Sequence, residues 1–132
     1  MSPSPASRHA RPLRVLYVED AVGFRQEMVE LHLATEEVTE VSTVRAAMIA
    51  LTATSSVEFD LALLDYELPD GTGADVIAEL RRHSPRVLIV GVSADRLFNE
   101  RLAAAGADRT MEKRTLRRLP DLLEKLGMGT RG

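Results

Sequence analysis

The 132-residue chain contains no cysteine. Disulfides, thiolate metal sites and a cysteine nucleophile are thereby excluded, and the composition fits a reducing, cytoplasmic setting. Tryptophan is also absent and aromatic residues amount to 4%, too few for a base-stacking surface. Positive charge is not in excess. The formal net charge is -3, which argues against direct binding to nucleic acid. Apolar runs last only a handful of residues, far short of the roughly 20 that span a bilayer, so no membrane partner is expected. The opening MSPSPASRHARP is polar and rich in Pro and Ser, without the apolar stretch of a secretory signal. Residues 1–12 are therefore expected to form a flexible arm.

What is present suits one domain with a real core: hydrophobic residues make up 45% and charged residues 28%. RVLYVED (Arg14 to Asp20) reads as a strand covered on both faces. A helix follows from about Ala21 to Ala34, with Phe24, Met28 and Leu31 inward. EVTEVST is a second strand. Ser42 or Thr43 can cap the next helix, whose Val44, Ala47, Met48 and Leu51 face inward. FDLALLD is the third strand, followed by a helix carrying Val76, Ile77 and Leu80 and stopped at Ser84-Pro85. RVLIVGVS is the most apolar strand. Leu97, Leu102 and Ala105 mark a fourth helix ended by Gly106, and DRTMEK is a weak fifth strand. The last helix is expected to start near Pro120, to turn Leu122, Leu123 and Leu126 inward, and to close at Gly127. One domain over 13–127 results, with a short tail at 128–132. Strands alternating with helices point to an α/β fold, an open doubly wound (βα)5 architecture on a five-stranded parallel sheet.

In such sheets ligands bind beyond the carboxyl ends of the strands. Those ends carry Glu19 and Asp20, Asp65, Ser93 and Lys113. Three carboxylates brought together raise one another's pKa unless a cation lies between them. Hard oxygen donors with no His or Cys nearby favour Mg2+ or the similar Mn2+. With a hydroxyl and an ammonium beside it, such a site suits a phosphoryl group, and Asp65 is left in line as nucleophile. Each residue alone has a plainer explanation. Glu19 and Asp20 could complement a helix dipole, Asp65 could start a turn, and Ser93 and Lys113 are common residue types. Their convergence at one sheet edge is what carries weight. His32 and His83, and Arg81, Arg82, Arg117 and Arg118, read as surface positions.

The stretches VLYVED, DYELPDGTG with Pro69 and Gly73, VGVSA and AGADRTMEK resemble the receiver domain of two-component response regulators. The resemblance covers Leu13 to about Leu126. It implies a CheY-like (flavodoxin-like) strand order, 2-1-3-4-5. It further implies that Asp65 accepts phosphate from a phosphohistidine on a sensor histidine kinase or a histidine phosphotransfer protein. Asp20 would bind Mg2+ directly, Glu19 mostly through water, and Glu67 through its backbone carbonyl. Ser93 would swing toward the aspartyl phosphate, with the small Ala94 leaving room, and Lys113 would pair with the phosphoryl group. The chain would act as a single-domain switch for a downstream protein. It would be no enzyme beyond its own phosphorylation and dephosphorylation. A homodimer face is a second use for the Leu-rich last helix, after core packing.

Two positions on the expected switch surface depart from the family pattern. Thr110 stands where an aromatic residue is usual, and Arg114 where a proline in a cis peptide is usual. A non-proline cis bond costs on the order of 3 kcal/mol, so the bond before Arg114 is expected to be trans. Two other readings stay open. One is an interaction module that is never phosphorylated. The other is a small aspartyl-phosphate hydrolase of dehalogenase type, with Glu67 in place of that family's second Asp.

Overall fold

A run such as Val15-Leu16-Tyr17-Val18, apolar without alternation, has to be covered on both faces. In the computed structural model, which describes residues 11–53 and 57–128, this segment lies in strand β1 (Arg14–Val18) with all four side chains buried. It is followed by α1 (Val22–His32), β2 (Glu37–Val41), α2 (Val44–Ala53), β3 (Leu61–Leu64) and α3 (Ala74–His83). Then come β4 (Leu88–Val92), α4 (Arg96–Ala105), β5 (Arg109–Met111) and α5 (Leu119–Lys125), the last entered through a 3-10 turn at Lys113–Arg118. The strands form one parallel sheet, as the sequence pattern predicts, in the order β2-β1-β3-β4-β5 that the resemblance implies. Between β3 and α3 the chain makes a small antiparallel hairpin, Glu67–Leu68 with Gly71–Thr72.

Alternate residues of the central strands feed two separate cores. Leu16, Val18, Ala62, Leu64 and Ile89 pack against Ala47 and Leu51 of α2, Ile77 and Leu80 of α3, and Leu102 of α4. Val15, Tyr17, Leu61, Leu63 and Val90 pack on the other face against Phe24 and Met28 of α1, together with Leu116, Leu119 and Leu123. The sheet is thus sandwiched between helices, the α/β layering that right-handed crossovers produce.

Several helix faces differ from the expectation. Leu31 and Leu97 are 62% and 50% exposed, and Ala105 is exposed as well. In α4 the inward positions are Asn99 and Leu102. The last α-helix starts at Leu119, beside Pro120 as expected, but a 3-10 turn not expected before it already buries Leu116 and leads Leu119 into the core. Apolar residues three apart eclipse in such a turn and share one side. Arg81 is no free surface cation: it donates to the carbonyls of Val87 (2.6 Å) and Gly106 (3.1 Å) and pairs with Asp108. It thereby ties α3 to the end of α4, where Gly106 takes a φ of 121° that favours glycine.

The expected arm and tail fall mostly outside the described residues. Of the arm, Arg11 forks onto both carboxylate oxygens of Asp60, at 2.9 and 3.1 Å. Among the described residues no helix is long and apolar enough to cross a membrane.

Candidate functional site

Because the strands are parallel, their carboxyl ends lie at one edge, and the register aligns them. Val18 pairs with Leu64, Leu64 with Gly91, and Gly91 with Thr110. Backbone bonds then continue past the strands. Asp65 N donates to Val18 O at 3.0 Å, and Ser93 N donates to Met111 O at 3.2 Å. The residues that follow each strand are therefore held by the sheet rather than by a free loop.

Asp65 is 6% exposed at the base of a cleft of about 460 Å³ that Asp20, Glu67, Ser93 and Lys113 also line. Glu19 lies behind it, fully buried. Carboxylate oxygens of Glu19, Asp20 and Asp65 come within 4.8 Å of one another. Lys113 Nζ stands 2.9 Å from Glu19 Oε1 and 3.4 Å from Asp65 Oδ2, and 5.4 Å from the centroid of the Phe24 ring. The contact with Glu19 is the shorter of the two ion pairs.

The electrostatics follow from this crowding. Burial, and next the Glu19 charge, push Asp65 up to about 6, against the pull of Lys113. Burial disfavours the Lys113 ammonium, yet Glu19 and Asp65 together hold its pKa above the ordinary value. One ammonium thus leaves the three carboxylates under-compensated. Their hard oxygens fit a divalent cation such as Mg2+.

Around the acids the chain is fixed with care. Gly73 allows the closure: a side-chain carbon there would collide with the backbone carbonyl of Asp65. Its N–H bonds Tyr66 O at 2.8 Å. Asp65 Oδ1 accepts from Tyr66 N at 2.8 Å. Ser93 is buried, and its Oγ accepts from Asp95 N at 3.1 Å. The hydroxyl proton is left free to donate elsewhere. Asp95 caps α4 by accepting from Leu97 N and Phe98 N.

The other two positions singled out in the sequence lie apart from the cleft. Thr110 is exposed on β5 and faces a groove toward Asp121 and Leu122 of α5. Arg114 is exposed on the 3-10 turn, with Nε 2.6 Å from Glu112 Oε1, and the bond before it is trans.

Two supporting residues escaped the sequence reading. Arg25 of α1 is buried, its Nε bonded to Glu40 at 2.9 Å. Its Nη1 faces Glu19 O (2.6 Å), Ser42 Oγ (2.9 Å) and Val41 O (3.2 Å). Asn99 of α4 is also buried, and its Nδ2 donates to Ser93 O (3.2 Å) and Met111 O (3.0 Å). The only sequence signal for either was a polar residue interrupting a helix's apolar stripe.

Comparison with known proteins then decides the family. A family model described as the response regulator receiver domain matches residues 15–126. The chain belongs to that family. A search of curated proteins finds no match. Among solved structures, a CheY-like receiver domain protein from Methanospirillum hungatei is similar at 26% identity and a TM-score of 0.71. The match covers 88% of this chain and 91% of that one. The response regulator TrrA of Thermotoga maritima, in complex with Mg2+-BeF, is similar at 25% identity and a TM-score of 0.71, covering 86% and 98%. A NarL signal receiver domain from Mycobacterium tuberculosis, at 24% identity and a TM-score of 0.70, covers 89% and 98% and shares the fold. Receiver domains are phosphoacceptor signalling domains rather than enzymes in the ordinary sense. They take phosphoryl groups from histidine kinases or phosphotransfer proteins and bind Mg2+ at an acidic pocket.

Proposed function

We propose that this receiver accepts a phosphoryl group from a phosphohistidine onto Asp65 and thereby changes the surface it offers to a protein partner. The observation that carries the reading is the meeting of the Glu19, Asp20 and Asp65 oxygens within 4.8 Å, with Lys113 at 2.9 and 3.4 Å from two of them. Asp20, Asp65 and Glu19, with the backbone carbonyl of Glu67, would hold Mg2+, which when bound offsets negative charge shared by the carboxylates and the phosphoryl group.

The chain's own residues do the rest. An oxygen of the Asp65 carboxylate attacks phosphorus. The P–O bond forms as the P–N bond to the donor imidazole breaks, and the bonding pair returns to the ring nitrogen. Lys113, already held above its ordinary pKa, supplies a fixed ammonium for a phosphoryl oxygen. The Ser93 hydroxyl has a proton to donate to another. When it turns inward, Asp95 N loses its acceptor at the start of α4. Phosphorylation therefore favours a different arrangement of the Ser93 loop and α4, a population shift that a partner can read. With Thr110 facing away from the cleft, α4 is the route for that signal.

The test is intact mass after incubation with Mg2+ and acetyl phosphate, beside Asp65→Asn. The wild type is expected to gain one labile phosphoryl group and the variant none. A wild type that stays unmodified here and with a histidine phosphodonor sinks the reading.

A further inference from the structure

An aromatic pair borders the phosphoacceptor cleft and has no part in the chemistry above. Tyr66, the residue after Asp65, stacks on Phe98 of α4, with ring centroids 4.7 Å apart and planes 26° from parallel. The Arg101 guanidinium carbon lies 5.9 Å from each centroid. Phe98 also lines the cleft together with Asp65, Leu68, Pro69 and Ala94. Asp65 is buried at the base of this cleft, whereas Phe98 is half-buried and Pro69 and Ala94 are exposed. Phe98, Pro69 and Ala94 therefore lie toward the rim, while Leu68 is buried.

In-line transfer puts the leaving group on the side of phosphorus away from the attacking oxygen, which here is the rim. A phosphohistidine brings a flat imidazole to that place. A small acyl phosphate brings an acetate. Phe98 is fixed by its stack on Tyr66 and by the Asp95 cap on its N–H at 3.3 Å, so contact with it orders no loose side chain. Glu67 and Asp95 line the same cleft, and their charges favour a ring protonated on its distal nitrogen.

We propose that Phe98, braced by Tyr66, is the seat for the imidazole ring of the phosphoryl donor, and so a specificity-determining residue for phosphohistidine. The inference rests on the phosphoacceptor reading of Asp65. In the step, the P–N bond breaks with its electron pair returning to the ring, the P–O bond to Asp65 forms, and a ring carrying its distal proton departs as neutral imidazole. No further reactant is needed.

The experiment compares two small donors, N-phosphorylimidazole and acetyl phosphate, with Mg2+, reading the rate of phosphoprotein formation by intact mass. Phe98→Leu keeps an apolar side chain without the ring, and Phe98→Tyr keeps the ring. Phe98→Leu is expected to slow transfer from phosphorylimidazole about fivefold, the worth of one ring-on-ring contact. Its rate with acetyl phosphate stays within about twofold of wild type, since no ring is lost from that pairing, and Phe98→Tyr restores the imidazole rate. Equal loss with both donors, or no loss with either, overturns the seat. Thermal midpoints of both variants well above the assay temperature show that folding is not the cause, even though Phe98→Leu loses the stack on Tyr66. A wild type that accepts from neither donor overturns the phosphoacceptor reading itself, which separates the two failures.

Discussion

Lys113 stands nearer to Glu19 than to Asp65, at 2.9 Å against 3.4 Å. Among the described residues, the one ammonium lining the cleft is thus shared by two buried carboxylates and leans toward the one that is not the proposed nucleophile. Asp65 is left with a charge that burial and Glu19 both oppose, which is why it titrates near 6 rather than 3.8.

A pH dependence of stability follows, with a definite sign. The folded state binds the Asp65 proton more tightly than the unfolded chain does. The stabilising contribution is complete below about pH 3.8 and is lost as pH rises through about 6. Asp65→Asn, which cannot ionise, is therefore expected to melt close to the wild type at pH 4 and above it at pH 8. The gain at pH 8 is on the order of 1–3 kcal/mol, or several degrees. Added Mg2+ should close most of the gap by stabilising the wild type alone. Thermal melts of both proteins at the two pH values, with and without Mg2+, check this. A difference independent of pH would contradict the account.

Arg25 supports the acids from beneath. Two protons on its Nη1 serve three acceptors, among them Glu19 O at 2.6 Å, while Nε pairs with Glu40. Removing a buried guanidinium takes the donor from Glu19 O and Ser42 Oγ and leaves Val41 O only Glu19 N, so Arg25→Met is expected to cost about 2–4 kcal/mol. The Glu19-Asp20 turn also loses its tether. Calorimetric titration should then show weaker Mg2+ binding in the folded variant, whereas Arg82→Met, an exposed helix position, should change neither quantity measurably.

The sheet and the acids were legible in the sequence because both rest on local signals. An unbroken apolar run means a strand covered twice, and an acid directly after it points out of the sheet edge. Helix phase was harder to read. Leu97 and Phe98 are adjacent apolar residues, and only the Tyr66 ring, 32 residues away in sequence, selects Phe98 as the one that packs. Pro120 concealed the end of the chain in a different way. It is a valid start for an α-helix, so nothing local announces the 3-10 turn before it, with Leu116 and Leu119 inward. Asn99 was out of reach because its partners are backbone carbonyls, which leave no trace in side-chain patterns, and Arg25 because its partners Glu40 and Ser42 lie 15 and 17 residues away, outside its own helix.

Asn99 offers a test in which shape and hydrogen bonding part company. Its Nδ2 joins the ends of β4 and β5 through Ser93 O and Met111 O, so the Ser93 hydroxyl and Lys113, two residues beyond Met111, are placed relative to each other by one amide. Its Oδ1 is buried without a partner, and no compensating bond on that side softens the loss. Asn99→Ala removes the donor and is expected to cost about 1–3 kcal/mol. Asn99→Asp keeps the shape but turns a carboxylate toward two carbonyl oxygens, so it should be worse than Ala at pH 8, though less so at pH 5, where protonation restores one donor. Phosphorylation by acetyl phosphate should fall in the same order, because in-line transfer tolerates little displacement of Ser93 or Lys113. If Asn99 served only to fill space, Asp would match the wild type and Ala would be the more damaging change.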